Sequence, residues 1–564
     1  MSIDEVRTEK TLKFISIFAI AFCGILLFPQ VQNFIIQITG KVLGRDLRNY
    51  GKWMKIILEC SLFAILCFGS ILMSSIQKLQ NFLEKYGEKI VIYASISVVA
   101  ISIIVRVIMS IKSPPLWGDE AELAASIVSR NWFELAVPPL SFNQSAPVLY
   151  VFLEKTIGSL IGYSEFSLRL FSLLSFLGLL ICEMIFLKKI FNFDRYKISF
   201  VVIMSALLPT YIWYSNELKP YMSDAFFVFL TILLYFYYIN EKIKLPILTI
   251  LCILLFGFST PVIFFTGGML FSEFLFAVFS KNKKQILYIV MAGIAVIAVF
   301  SLYYYWWHLP VSKFMLTWWS YWYNDRGIII VLASLFSSYN SASTYVWVFV
   351  PFAILGFYSL IIRKNKIAYM VVLSLFFTFF ASAIGKWPLS CRLWLFLPAI
   401  VFIFTPIGFD FIHGKIKSRE WGYMATMEFL ISSIIVVYLS INCLTFFGDK
   451  MYLEDVNSLV SYVQENIKED EKLYVHRWRK AQVQFKIGYS TTKIGNVKAD
   501  NIIYLDEYTQ DFGNELLSII ENEKVYLILP SYGGTTDVLR NYGTLTEVMN
   551  VHNIPLYYFE IESQ

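Results

Sequence analysis

Residues 163–197 read YSEFSLRLFSLLSFLGLLICEMIFLKKIFNFDRYK. An almost unbroken apolar run, long enough to cross a bilayer as a helix, ends here in a loop rich in lysine and arginine. Runs of this kind recur along most of the chain, and 57% of its residues are hydrophobic. The sequence therefore predicts an all-α polytopic membrane protein rather than a soluble one.

The apolar runs also set the predicted number of spans. Counting runs of roughly 17–25 residues gives about 13 transmembrane helices. They are residues 12–29, 53–76, 89–111, 163–189, 197–214, 220–239, 245–259, 260–280, 285–307, 344–362, 367–384, 391–410 and 425–447. No small-residue cleavage site follows the first run, which is therefore interpreted as a retained span rather than a signal peptide. We divide this part into an N-terminal extension, 1–88, and a transmembrane domain, 89–448, with a large polar loop at 112–162.

Basic loops predict the orientation, because lysine and arginine are enriched in cytoplasmic loops. Such loops lie at 188–197, 240–244, 281–284, 363–366 and 414–419, and they alternate with charge-poor loops. This alternation places the N-terminus in the cytoplasm and the 112–162 loop outside the plasma membrane. The basic segment 41–52 falls on the predicted outer side, so either it is an interfacial helix or the first two spans are misread.

Residues 449–564 differ in character and predict a C-terminal extracytoplasmic α/β domain. Strand-like segments alternate with amphipathic helical ones such as 456–467, which favours a mainly parallel sheet. The predicted strands are 472–478, 501–508, 524–531 and 555–562.

The charge and the cysteines of the whole chain exclude two kinds of site. The net charge of +6 is scattered over short loops and indicates no nucleic-acid partner, and the cysteines show no metal-binding spacing.

Two adjacent carboxylates, Asp119 and Glu120, lie in WGDEAELA (117–124), close to a predicted membrane boundary. Carboxylates are costly there unless they have a role, and one of them could act as a general base for an acceptor hydroxyl or amine. The alternative is that they begin a helix and cap it. The apolar stretch 146–163 that follows is predicted to lie in the outer interface.

Two further outer segments carry candidate binding residues. YSNELKPYM (214–222) and CRLWLFLPA (391–399) place a lysine and an arginine at membrane boundaries, where either could bind a phosphate or merely reach the headgroups. A third cation begins the span at 163–189 and is expected to pair with Glu165 or Asp119. The predicted substrate-binding residues are Tyr214, Glu217, Lys219, Tyr221, Arg392 and Arg169.

In their order along the chain, these three motifs resemble those of GT-C-fold integral-membrane glycosyltransferases. The bacterial group in question includes protein O-mannosyltransferases and lipid A aminoarabinose transferases, and the resemblance covers residues 90–450 and the tail. It implies a GT-C fold and a polyprenyl-phosphate-linked sugar donor. It also implies a protein, lipid or glycan acceptor at the outer face of the membrane.

The resemblance assigns roles to the motif residues. It implies that Asp119, with Glu120 as the second candidate, acts as the base or positions the acceptor. Lys219, where relatives usually have arginine, and Arg392 would hold the lipid phosphate. Many relatives have Lys-Pro-Pro-Leu before the interfacial helix, whereas this chain reads Ser-Ala-Pro-Val at 145–148, so that phosphate contact must come from elsewhere. No cofactor is certain, and the carboxylates leave a divalent cation open.

Two other classes of protein remain as alternatives. A transporter or flippase of lipid-linked glycans predicts paired charges in mid-membrane on broken helices, and the sequence shows few. A structural or receptor protein would instead depend on the α/β domain for ligand binding.

Overall fold

The computed structural model describes residues 88–112, 114–312, 314, 335, 346–388, 391–413, 455–468, 471–489, 501–505, 512–520, 524–529, 535–551 and 554–561. Within these ranges, six helices are long and apolar enough to cross a membrane, and three shorter helices are also apolar. The prediction of a mostly helical membrane protein is confirmed. The predicted spans at 12–29, 53–76 and 425–447 lie outside the described residues.

The described part begins with a long helix and the polar loop that follows it. These are α1 (Glu88–Lys112), α2 (Gly118–Ser129), α3 (Trp132–Leu135) and α4 (Val148–Ile161). The bundle continues with α5 (Glu165–Lys189), α6 (Arg195–Leu207), α7 (Pro209–Tyr214), α8 (Tyr221–Ile239), α9 (Leu245–Phe256), α10 (Val262–Phe279) and α11 (Lys283–Tyr303). Three more helices follow, α12 (Val346–Ile362), α13 (Lys366–Ala383) and α14 (Leu397–His413).

Helix α5 shows how local chemistry sets a span. Ser164 caps its start, since its Oγ accepts a hydrogen bond from the Ser167 amide at 3.1 Å. Lys188 and Lys189 lie in its last turn, where positive charge is favoured by the helix dipole. The predicted span 163–189 and the observed helix therefore agree within two residues at the start and coincide at the end.

The predicted span at 197–214 is not one continuous helix. The chain leaves the helix at Leu208, whose backbone is extended (φ −62°, ψ 120°), and starts again at Pro209. Proline has no amide hydrogen to continue the helix and disfavours helical geometry in the residue before it. The short helix α7 therefore begins after a break in the backbone and leads into residues 214–222, which carry candidate binding residues.

Helices α12 and α14 touch through two glycines. A Cβ atom on Gly356 would collide with the carbonyl oxygen of Phe404, and one on Gly408 would collide with that of Phe352. Small residues allow membrane helices to approach this closely. The absence of side chains at 356 and 408 thus fixes the separation of the two backbones.

We expect Gly408→Ala to lower the free energy of unfolding by about 1–3 kcal/mol, because the added methyl group meets backbone rather than a movable side chain. Gly293→Ala in α11 is the matched control, since nothing lies within 4 Å of its added Cβ. Unfolding of both variants in mixed micelles would be compared by circular dichroism. Equal stability of the two would contradict the close contact.

Within the described residues, the C-terminal part contains four helices and five strands. In chain order they are α15 (Val456–Asn466), β1 (Lys472–His476), α16 (Arg477–Gln484), β2 (Ile502–Leu505), α17 (Phe512–Ile519), β3 (Lys524–Ile528), α18 (Thr535–Arg540), β4 (Gly543–Val551) and β5 (Ile554–Ile561). Apolar residues of α15 and α16 cover one face of the sheet, and those of α17 and α18 cover the other.

The sheet corrects the prediction of a mainly parallel arrangement. Its strand order is β2-β1-β3-β5-β4. The β1–β2 and β1–β3 pairs are parallel, but β3–β5 and β4–β5 are antiparallel. Strand β4 was not predicted. Only residues 552–553 separate it from β5, and so short a connection can join only antiparallel strands.

The C-terminal part packs on the polar loop of the membrane part. Gln482 Nε2 donates a hydrogen bond to the Leu116 carbonyl oxygen at 3.1 Å, and Lys486 Nζ lies 3.8 Å from a carboxylate oxygen of Glu165. Ala481 and Phe485 are buried in the same apolar cluster as Leu116 and the apolar residues of α2. Helix α2 is thus held between α16 and the membrane bundle.

Helix α4 occupies the stretch predicted to lie in the interface. It is not among the helices long enough to cross a membrane. Its two charged residues, Glu154 and Lys155, are buried in the protein, and Lys155 Nζ donates a hydrogen bond to the Ile127 carbonyl oxygen at 2.9 Å. The charges of α4 therefore lie inside the protein rather than in water.

Candidate active site

Helix α2 presents Asp119 in its first turn, at the end of the bundle where α1 ends and α5 and α8 begin. Backbone N–H groups at a helix start favour a carboxylate there. Arg392, in the turn Cys391–Trp394 just before α14, donates from Nη1 to Asp119 Oδ2 at 3.0 Å. Each side chain is about a third exposed, 31% for Arg392 and 32% for Asp119, so this ion pair lies at the opening of the site.

Glu120 has a different place from its neighbour. Its side chain is buried, and it accepts hydrogen bonds from Arg169 Nε at 2.8 Å and Arg169 Nη2 at 2.6 Å. Its Oε1 also accepts from the Leu218 amide at 2.7 Å. Both carboxylate oxygens are therefore engaged inside the protein, away from the opening where Asp119 lies. The role of Glu120 as the second catalytic candidate stays a prediction.

Arg169 likewise departs from its predicted partners, Glu165 and Asp119. Besides Glu120, it donates to the carbonyl oxygens of Pro114 and Pro115 at 2.6 and 3.2 Å. The guanidinium therefore fixes the entry of the polar loop against α5. It is 3% exposed, so we assign it to support of the site rather than to substrate contact.

The turn between α7 and α8 brings in Lys219. This buried ammonium donates to Gln144 Oε1 at 2.5 Å. Gln144 in turn donates from Nε2 to Glu122 Oε2, also at 2.5 Å. The three side chains form a chain of hydrogen bonds beside the Asp119–Arg392 pair.

The other residues of the same turn line the wall of the site. The rings of Tyr214 and Tyr221 meet edge to face with centroids 5.3 Å apart, and the Arg392 guanidinium lies 5.5 Å from the Tyr221 centroid. Glu217 is buried and accepts a hydrogen bond from Trp213 Nε1 at 2.5 Å. Its Oε1 has no hydrogen-bond partner among the described residues.

The pKa values of the two carboxylates of α2 that face the opening are shifted in opposite directions. Burial alone would raise the pKa of Asp119, but the charges of Lys219 and Arg392 outweigh it and hold that pKa below its usual value. Burial and the charge of Asp119 raise the pKa of Glu122 to about 7, against the opposing charge of Lys219. Asp119 is therefore an anion at any physiological pH, whereas Glu122 exchanges a proton near neutrality.

The pKa values of the buried members of the cluster are shifted in the direction that favours their uncharged forms. Burial lowers the pKa of Lys219, although Asp119 acts in the opposite direction. Burial and the charge of Glu120 raise the pKa of Glu217 to about 8. A phosphate bound at the opening would oppose the lowering of the Lys219 pKa, because a second anion favours the ammonium form.

The chain was also compared with known proteins. No family model and no curated protein matches it. Two crystal structures of ArnT from Cupriavidus metallidurans are among its structural neighbours. ArnT from Cupriavidus metallidurans in the apo state has a TM-score of 0.48 and 11% sequence identity, and the match covers 82% of this chain and 98% of that one. ArnT bound to undecaprenyl phosphate has a TM-score of 0.46 and 11% identity, with 82% and 97% covered.

At 11% sequence identity and with TM-scores below 0.5, these likenesses carry no argument about the function of this chain.

Two members of the cluster, Glu122 and Gln144, were not predicted. Glu122 follows Asp119 by three residues, and the helix predicted after Asp119 would have placed both on one face. Gln144 lies in an Asn-Gln-Ser triplet and carries no signal of its own in the sequence. Its place depends on the fold of the loop between α3 and α4.

The positions of the predicted site carboxylates also decide whether they could share a divalent cation. Asp119 is paired with Arg392, and both oxygens of Glu120 are engaged by Arg169. No group of three or more His, Cys, Asp or Glu residues that could hold a metal ion occurs in the described ranges. The carboxylates considered in the sequence therefore do not fit a shared cation in this arrangement.

Proposed function

We propose that this protein is a membrane glycosyltransferase that moves a sugar from a polyprenyl-phosphate donor to a protein, lipid or glycan acceptor. The reaction would take place at the outer face of the plasma membrane. The observation that carries the proposal is the contact between Asp119 and Arg392 at one end of the spans, with Lys219 and Glu122 beside it. Cations and carboxylates in contact at a membrane boundary suit a lipid phosphate and an acceptor.

Each part of the cluster has a task in this reaction. The donor phosphate competes with Asp119 for Arg392 and draws on the charge of Lys219. As the sugar–phosphate bond breaks, negative charge develops on the leaving phosphate, and fixed cations stabilise it. Asp119 stays next to Arg392 and Lys219 and orients the acceptor. The edge-to-face rings of Tyr214 and Tyr221 form a wall on which Arg392 rests.

The chain itself supplies a replacement for the phosphate contact that Ser145–Val148 lacks. Lys219 reaches Gln144, the residue immediately before that stretch, from another part of the sequence. We propose that Lys219 places its charge where relatives carry a lysine in the loop.

The test uses purified full-length protein in proteoliposomes with a panel of polyprenyl-phosphate hexoses and pentoses, and with protein, lipid and glycan extracted from the native membrane as acceptors. It measures release of the lipid phosphate. We expect turnover by the wild type and at least about tenfold less by Asp119→Asn, because the acceptor loses its orienting anion. Full activity of Asp119→Asn at normal expression would remove Asp119 from the reaction. Absence of turnover with every donor would contradict the proposed function.

The same vesicles test the transporter alternative. A fluorescent polyprenyl-phosphate sugar, accessible to a quencher on one side only, would reveal movement across the bilayer. Movement without release of lipid phosphate would favour a flippase over a transferase.

A further inference from the structure

Glu122 lies one helical turn after Asp119 and faces the same opening. Its side chain is partly exposed, so a substrate can reach it. Its Oε2 accepts a hydrogen bond from Gln144, which fixes the direction of the carboxylate. Glu122 therefore lies next to the Asp119–Arg392 ion pair at the opening but is not a member of that pair.

We propose that Glu122, rather than Asp119, takes the proton that the acceptor hydroxyl or amine loses during sugar transfer. This assignment rests on the proposed function and deepens it. Asp119 is held by a guanidinium at 3.0 Å and lies close to Lys219, and a carboxylate stabilised by two cations is a weak base. Glu122 instead accepts its hydrogen bond from the neutral amide of Gln144, and the cations that act on it, Lys219 and Arg477, form no ion pair with it among the described residues.

The charged groups around Glu122 come from three parts of the protein. Asp119 faces it from the same helix, Lys219 from the turn between α7 and α8, and Arg477 from α16 of the C-terminal part. Asp119 and burial disfavour the charged form, whereas Lys219, Arg477 and the hydrogen bond from Gln144 favour it. Their balance gives a pKa of about 7, close to the value at which a general base is most effective at neutral pH.

The proposed step is balanced in atoms and charge. The acceptor oxygen or nitrogen forms a bond to the anomeric carbon of the sugar. The bond from that carbon to the phosphate oxygen breaks, and its electron pair leaves with the polyprenyl phosphate beside Lys219 and Arg392. The acceptor proton passes to Glu122 and later to water.

The experiment measures release of polyprenyl phosphate between pH 5 and 9, with water as the acceptor. Wild-type kcat/KM should rise with pH through an inflection near 7 and then level off, because only the deprotonated carboxylate accepts a proton. Glu122→Gln should lose about 10²–10⁴-fold and also lose the inflection. Glutamine can still accept the hydrogen bond from Gln144, so the loop keeps its fold. Glu122→Asp should retain the inflection at reduced rate.

A second readout separates catalysis from structure. Azide carries no proton to remove, so its transfer to the anomeric carbon needs no base. We expect Glu122→Gln to form glycosyl azide at a rate within about threefold of the wild type, while its hydrolysis is lost. Glu465→Gln, an exposed glutamate on α15, is the matched control and should change neither reaction.

The outcomes are distinguishable. If the wild type releases no lipid phosphate from any donor, the proposed function fails. If the wild type is active and Glu122→Gln keeps its rate and inflection, the assignment of Glu122 is overturned. Equal loss of hydrolysis and azide transfer in Glu122→Gln would also overturn it, since that pattern indicates a structural role. If the wild type does not use azide, the presence or loss of the pH inflection in Glu122→Gln decides whether Glu122 is the base.

Discussion

Arg392→Gln is expected to lower kcat/KM for a polyprenyl-phosphate sugar by about a hundred- to a thousandfold. Removing one preorganised, positively charged hydrogen-bond donor from a site where negative charge develops has an effect of this size. The guanidinium occupies the opening, in contact with Asp119 and against the Tyr221 ring. The loss should fall mainly on kcat, because the charge on the leaving phosphate grows as the bond breaks.

Lys386→Gln is the matched control for this prediction. Lys386 is an exposed cation six residues before Arg392, and we expect its replacement to leave kcat/KM within about twofold. Arg392→Lys should recover part of the rate, since it keeps the charge but loses the planar fork. If Arg392→Gln were no worse than Lys386→Gln, Arg392 would not contact the phosphate.

Arg169→Met is expected to lower the free energy of unfolding by about 3–5 kcal/mol. The change leaves the buried carboxylate of Glu120 without its cation, and an uncompensated buried charge has a cost of that order. Unfolding would be followed by circular dichroism during titration with sodium dodecyl sulfate in mixed micelles. Loss of the contacts to Pro114 and Pro115 would add to the effect.

The double variant Glu120→Leu, Arg169→Met should recover most of this loss, because it removes both charges together. Lys197→Met is the control, since it breaks the Lys197–Asp410 pair, which is partly exposed and should contribute less than about 1 kcal/mol. A loss for Arg169→Met no larger than that for Lys197→Met would show that the buried pair does not hold the loop to the bundle.

Much of the membrane part could be predicted because a span is a local property of the sequence. The run ending at Lys189 is long and apolar, so helix α5 follows from composition alone. The break at Pro209 is also visible in the sequence, but averaging over a window of a span's length conceals it. Strand β4 was missed because its side chains alternate only weakly and its partner β5 had been assigned to a parallel sheet.

The candidate site was predicted less completely, because its pairings join distant parts of the chain. The motifs indicated that Asp119, Lys219 and Arg392 belong to one layer, and the structure brings them together. Which of two adjacent carboxylates turns inward is not a local property. Glu120 turns inward because Arg169, 49 residues later, is buried behind it. The position of Gln144 depends in the same way on tertiary structure.

Helix α9 has a consequence for the depth of the reaction. Its 12 residues rise only about 18 Å, whereas the hydrocarbon core of a bilayer is about 30 Å thick. Where α9 stops, the carbonyl oxygen of Gly257 accepts hydrogen bonds from the Leu149 and Tyr150 amides at 2.7 and 3.3 Å, so the start of α4 continues inward from the loop to meet it. This hydrophobic mismatch favours a bilayer that thins on the α9 side. A lipid headgroup next to α9 would therefore lie deeper than one beside the longer helices of the bundle.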